Sequence, residues 1–226
     1  MKYHVEFDID FNRNPYKGLY IALEGIDGSG KSTQVKKLTE YFARQGRDVI
    51  QTREPRKKEG IIGRFIQEIL LGKVEVPPKA YQYLFSADRV MHYEEVIIPS
   101  LKAGKIVISD RCFWSAIPYG ILDRKDPLDE KTKSYFLVSQ SILSMYHQFI
   151  LPDYSFYLDV TVDAAVPRLS TKQGEAEEIY ETKEQLEKLR AGYKFLLQEF
   201  PKEFIVVDAN QDVAKVTNEM ISAIKK

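Results

Sequence analysis

The octapeptide Gly25-Ile26-Asp27-Gly28-Ser29-Gly30-Lys31-Ser32 has the spacing G-x-x-x-x-G-K-[ST], and each residue type in it answers a need of a phosphate chain. Glycines let successive backbone N–H groups curl inward around an anion, because no Cβ stands in the way. A helix opening near Ser32 adds the positive end of its dipole. The Lys31 ammonium can reach the β- and γ-phosphates, and the Ser32 hydroxyl can hold Mg²⁺. Residues Gly25 to Thr33, with Asp27 inside the turn, are therefore expected to bind a nucleotide together with Mg²⁺.

A phosphate loop alone serves switches, motors and kinases alike. The N-K-x-D segment by which a GTPase reads guanine is absent from the chain. Downstream of the loop lie cationic and aromatic residues suited to a second substrate. Asp110-Arg111 closes the apolar stretch Ile106 to Ser109. There Asp110 would order the Mg²⁺ shell and Arg111 would hold an acceptor anion; the bland alternative is a surface ion pair. Phe85, Asp88, Arg89 and His92 recur at helical spacings of three and four. Phe85 would stack on a base and Arg89 would bond its edge. Equally, Phe85 could be core and Asp88 with Arg89 a solvated salt bridge. Both readings stand at this point.

These residues need a scaffold, and the hydrophobic pattern supplies one. Residues 3 to 11 alternate apolar and polar, as a strand with one buried face does. Nearly continuous apolar runs at 19–23, 106–109, 154–160 and 204–207, with a strand at 48–52, read as parallel strands covered on both faces. Helical patterns lie between them at 32–44, 61–71, 80–102, 113–121, 129–149, 162–169, 178–199 and 212–224. Strands alternating with helices predict a three-layer α/β sandwich of the P-loop NTPase type, with a parallel central sheet and an extra N-terminal strand. Ligands of such sheets sit beyond the carboxyl ends of the strands. One P-loop domain is expected over 18–226, preceded by an extension at 1–17. The polar segment around 169–178 reads as a mobile insertion able to serve as a lid, or simply as an exposed helix–helix loop.

Lys+Arg and Asp+Glu balance at 33 each, which argues against a protein that coats nucleic acid, because no basic excess exists to displace counterions. No stretch approaches the roughly 20 apolar residues of a membrane span. The single cysteine, Cys112, excludes a disulfide framework and fits the reducing cytoplasm. Cys112 itself reads as a small buried residue and Trp114 as packing. His4, His92 and His147 lack metal-ligand spacing.

Beyond the loop, the ordered segments Glu24–Thr33, Thr52-Arg53-Glu54-Pro55, Leu84–Arg89, Asp110-Arg111 with Ser115 and Tyr119, Tyr157–Val160 and Leu189–Tyr193 resemble the motifs of the thymidylate kinase family from about residue 18 to the end. The resemblance implies phosphoryl transfer from Mg-ATP to dTMP by a homodimer. It implies that Asp27 bonds the 3′-hydroxyl of the acceptor, Phe85 stacks on thymine and Arg89 bonds its carbonyl edge. Arg111 would grip the acceptor phosphate, with Arg53 and either Arg56 or Lys57 nearby. Ser115 would help read the base, and Tyr119 would disfavour a 2′-hydroxyl.

The chain departs from the family pattern in three places. Gly28 stands where some relatives carry an arginine, so the catalytic cation is expected from the lid, from Lys172 or Arg168. Arg56-Lys57-Lys58-Glu59 replaces small residues, and such a charge run reads first as a solvated loop. Gly120 stands where many relatives have glutamine. Two other functions remain: a deoxynucleoside kinase using Glu54 as base toward a 5′-hydroxyl, and a nucleotide-binding regulator without turnover.

Overall fold

The structure, a computed structural model, describes residues 8, 10–123, 131–170 and 179–224. Five parallel strands, β1 (Leu19–Glu24), β2 (Val49–Arg53), β3 (Ile106–Asp110), β4 (Tyr154–Asp159) and β5 (Ile205–Asp208), form one sheet in the order β2-β3-β1-β4-β5. Tyr20, Ile21, Ala22 and Leu23 are all fully buried. Since successive side chains of a strand point to opposite faces, burial of all four means that helices cover the sheet on both sides.

Those helices are α1 (Lys31–Arg44), α2 (Gly60–Leu70), α3 (Tyr81–His92), α4 (Ile98–Lys102), α5 (Ala116–Asp123), α6 (Lys131–Tyr146), α7 (Val162–Ser170), α8 (Lys183–Glu199) and α9 (Val213–Ile224). The pattern predicted one helix over 80–102, and the structure divides it. A π-helical turn at Tyr93–Ile97 separates α3 from α4. Pro99 explains the break: it has no N–H to give, and its ring clashes with the carbonyl four residues back, so the regular ladder widens before it.

Strand register brings the chemistry together. Arg53 lies beside Asp110, and Asp110 beside Leu23. The ladder then runs one residue further, with the Glu54 N–H bonded to the Asp110 carbonyl at 3.0 Å and the Arg111 N–H to the Leu23 carbonyl at 2.9 Å. Glu24, Glu54 and Arg111 thus leave three adjacent strands side by side at the carboxyl edge.

The strand expected at 3–11 lies mostly outside the described residues. Its last residue, Phe11, covers a face of the core. Phe11 sits against Phe113, Trp114 and Phe200, with ring centroids 6.2, 5.8 and 6.5 Å away. Asn12 makes a single parallel bridge to Ile150, which joins no strand of the central sheet. Trp114 is fully buried in this aromatic cluster, between Phe113, Phe200 and Phe204, and so is packing.

Candidate active site

The phosphate loop leaves β1 at Glu24 and enters α1 at Lys31, one residue before the expected start. Gly28 has φ 80°, a conformation that only glycine adopts freely. It is also covered: a Cβ there would meet the Ala165 carbonyl oxygen of α7 at 2.5 Å. No side chain, arginine included, fits at this position. The Lys31 ammonium folds over the loop, donating to the Gly25 and Ile26 carbonyls at 3.1 and 2.9 Å, with Asp27 at 3.7 Å. Burial, reinforced by the charge of Arg111, lowers its pKa to about 8. Ser32 Oγ donates to Asp110 Oδ2 at 2.6 Å, which places a hydroxyl and a carboxylate together, an oxygen donor set that suits Mg²⁺. The Ser29 hydroxyl is buried without a protein partner, as fits a group reserved for a ligand oxygen.

Arg111 is the hub of the edge. Its Nη1 donates to the Gly25 carbonyl at 2.8 Å and to the Tyr193 hydroxyl at 3.0 Å, and its Nη2 to Asp27 Oδ1 at 2.7 Å. Its backbone is left-handed, at φ 75°, uncommon for a residue with a side chain and a source of local strain. Burial alone would raise the Asp27 pKa, but Arg111, Lys31 and Lys57 together hold it well below the usual carboxylate range. The Tyr119 hydroxyl donates to the other Asp27 oxygen at 3.1 Å, and the Arg111 guanidinium lies 5.1 Å from the Tyr119 ring centre. Behind them, fully buried Glu24 accepts from the Cys112 N–H at 2.8 Å, Ser115 Oγ at 2.5 Å and the Tyr193 hydroxyl at 2.8 Å.

A cavity opens beyond this hub, walled by α3 and α5. Gln82, Phe85 and Arg89 line it from α3, Ala116 and Tyr119 from α5, and Asp27, Arg53, Glu54, Arg111 and Ser115 lie at its floor and mouth. Arg89 Nε donates to Glu54 Oε2 at 2.6 Å, and its guanidinium stacks 4.6 Å from the Tyr146 ring centre. Its Nη1 stays buried and unpartnered, a donor left over for a carbonyl. The solvated Asp88–Arg89 pair is not found. Neighbours on a helix point away from each other, so buried Asp88 instead takes the Arg56 N–H at 2.9 Å and Arg56 Nε at 3.4 Å, while Arg56 Nη1 reaches Glu95 at 2.7 Å. Arg56 is thus removed from the acceptor cavity, and the charge run is not wholly solvated. At the outer end, the Tyr180 ring meets Tyr119 edge-on at 5.0 Å and its hydroxyl donates to Asp123 at 2.6 Å.

A second, larger cavity runs along Gly28 to Gln34 toward Ala209, Gln211 and Val213. Asp27, Arg53, Lys57 and Arg111 line both cavities. One cavity suits a phosphate chain, the other a planar ring with carbonyl edges, and they join at a carboxylate and three cations.

The family model for thymidylate kinase matches residues 23–220. The thymidylate kinase of Thermoanaerobacter sp. (strain X514) is 36% identical over 211 residues, covering 93% of this chain and 98% of that relative. The probable thymidylate kinase of Thermococcus kodakarensis is 34% identical over 217 residues, covering 92% and 97%. The thymidylate kinase of Bifidobacterium longum (strain NCC 2705) is 32% identical over 215 residues, covering 92% and 98%. The chain belongs to the thymidylate kinase family.

Within that family frame, two features of this chain stand out. Gly120 is a packing position, since a Cβ there would run into Ile142 of α6. Of the two lid candidates, Arg168 donates to the Ala209 carbonyl at 3.1 Å and reaches the Gly28 carbonyl at 3.4 Å; Lys172 lies outside the described residues. Sequence reasoning gave no role to Glu24 or Tyr193, although both fall inside the family motifs. An acidic residue ending an otherwise apolar strand was the available signal for Glu24. Nothing in the sequence marks Asp123, Tyr180 or Gln82.

Proposed function

We propose that this chain transfers the γ-phosphoryl group of Mg-ATP to dTMP, giving dTDP and ADP. The observation that carries this reading is the wall of Asp27, Arg53, Lys57 and Arg111 common to the two cavities. It brings a donor phosphate and an acceptor phosphate to one cationic point. The attacking atom is already an anionic oxygen, so alignment and charge neutralisation suffice and no strong base is needed.

In this reading Gly25 to Thr33 hold the donor, with Lys31 on its terminal phosphates and the Ser29 hydroxyl on a phosphate oxygen. Ser32 and Asp110 would hold Mg²⁺, which when bound neutralises the β- and γ-oxygens. Arg111 and Arg53 take the acceptor phosphate. Asp27, low in pKa and therefore ionised, accepts the 3′-hydroxyl of the sugar. Tyr119 stands beneath that sugar, braced by Tyr180. Phe85 stacks on thymine, the spare Nη1 of Arg89 donates to its carbonyl edge and Ser115 helps read the base.

Glu54 makes a poor base for the rival deoxynucleoside kinase reaction. Both its oxygens are taken, by Arg89 and by His92 at 3.2 Å. Burial would raise its pKa, yet Arg89 and His92 hold it below the ordinary value.

The reading includes a cytoplasmic homodimer that uses neither nucleic acid nor membrane. Exposed Ile61 and Phe65 of α2 and Tyr83 and Val90 of α3 are apolar residues that a second copy would cover. Among the described residues no helix is long and apolar enough to cross a membrane.

The test is ADP release from Mg-ATP across dTMP, dUMP, dCMP and thymidine. Turnover on dTMP with none on thymidine is expected. Turnover on thymidine would overturn the acceptor assignment, and binding of ATP without turnover on any acceptor would favour a regulator.

A further inference from the structure

The phosphoryl group in flight needs a cation beside it, and two positions that could have supplied one do not do so in this chain. At Gly28 the Ala165 carbonyl fills the space a side chain would need. Arg56 is turned inward onto Asp88 and Glu95. What holds Arg56 there is the close approach of α2: a Cβ at Gly63 would overlap the Arg56 carbonyl, so the loop is clamped against the helix at that residue. A tight turn comes next, with the Lys57 N–H bonded to the Pro55 carbonyl at 2.9 Å.

Arg56 borders only the larger cavity, whereas the next residue reaches both. Half-buried Lys57 lines both cavities, and its charge is among those that keep the Asp27 carboxyl ionised. We infer that Lys57 is a further catalytic residue, whose ammonium contacts the acceptor phosphate and the transferring phosphoryl group at the point where the cavities join. The inference rests on the phosphoryl-transfer reading above and gives the departure at residues 56–59 a purpose: the two neighbouring cations divide, Arg56 anchoring the loop and Lys57 serving the reaction. As the bond between the γ-phosphorus and the β,γ-bridging oxygen breaks, its electron pair stays on the ADP oxygen. An acceptor phosphate oxygen forms the new bond to phosphorus. Lys57 gives up no proton; its positive charge offsets the negative charge that builds on the oxygens.

The test is steady-state kinetics of Lys57→Met and Lys57→Arg on the full chain, with thermal melting to confirm folding. Lys57→Met is expected to lower kcat roughly 10²-fold, the scale of losing one preorganised charge contact, while the KM for ATP moves less than about threefold. Lys57→Arg should recover part of the loss, since it restores charge at similar reach. An unchanged kcat in Lys57→Met overturns the inference and leaves the dTMP kinase reading standing, because the wild-type rate is measured beside it. A raised acceptor KM at unchanged kcat also overturns it, reducing Lys57 to uniform binding. A wild-type chain inert toward every nucleoside monophosphate overturns both.

Discussion

Arg111 and Asp27 form a 2.7 Å ion pair on the boundary between the two cavities, so the guanidinium and the carboxylate that would serve the acceptor are, without it, satisfied by each other. The same guanidinium also holds the Gly25 carbonyl and Tyr193. A single ammonium cannot make these contacts together. Arg111→Lys is therefore expected to lower kcat/KM for dTMP by about 10²-fold in steady-state assays while the protein still folds; a change below threefold would show that charge alone suffices there.

Phe85 lies on the same helical stripe as Arg89, one turn earlier, and lines the acceptor cavity. Phe85→Ala should weaken dTMP binding by about 1–3 kcal/mol, the worth of one base–aromatic stack. The KM for ATP should stay put, and an equal shift in both constants would point to a loosened core instead.

Lys31 has a pKa of about 8 because it is buried and near Arg111. A bound triphosphate favours the charged ammonium and raises that value. ATP binding at pH 8 should then take up roughly half a proton at this residue, and progressively less as the pH falls toward 6. Calorimetry in two buffers of different ionisation enthalpy measures the uptake, and Lys31→Met should remove it.

Burial pushes the Asp123 carboxyl up to about 7, against the bonds it accepts from Tyr180 and Gln82. Because the native state keeps its proton to a higher pH than the unfolded chain, stability falls as pH rises from about 4 to about 7 and is flat above, as far as this group decides it. Asp123→Asn should remove that cost. Its amide can donate to Gln82 Oε1, which is buried and unpartnered, once the glutamine amide turns over. The variant should exceed wild type by about 2 kcal/mol at pH 8, partial exposure screening the charge, with the gap shrinking toward pH 4. Urea unfolding at the two pH values decides it.

How much the sequence reveals depends on where the information sits. Four of the five strands are legible because each is a short, nearly continuous apolar run, β2 (Val49–Arg53) being more polar and less buried, and the phosphate loop because its spacing is local. The break between α3 and α4 was visible only as Pro99 in an otherwise helical pattern. Partners far apart in the chain were not legible at all: Arg89 bonds Glu54 and Asp88 bonds Arg56, although adjacency on α3 suggested Asp88 and Arg89 for each other. The same holds for Asp110, which bonds Ser32, and Arg111, which bonds Asp27. Glu24, Ser115 and Tyr193 meet only because β1, α5 and α8 converge. Aromatic pattern alone could not show that Phe11 covers Trp114.

The wall common to the two cavities also links the two nucleotides thermodynamically. Exposed Arg53 and half-buried Lys57 stand on that wall, and the first nucleotide to bind bears the cost of ordering them; the second finds them already ordered. Affinity for each nucleotide should therefore rise in the presence of the other, by one and the same factor in either order, since coupling between sites is reciprocal. An enzyme arranged in this way discriminates against half-loaded complexes, so that a bound donor without an acceptor is held less tightly than the ternary assembly that can react.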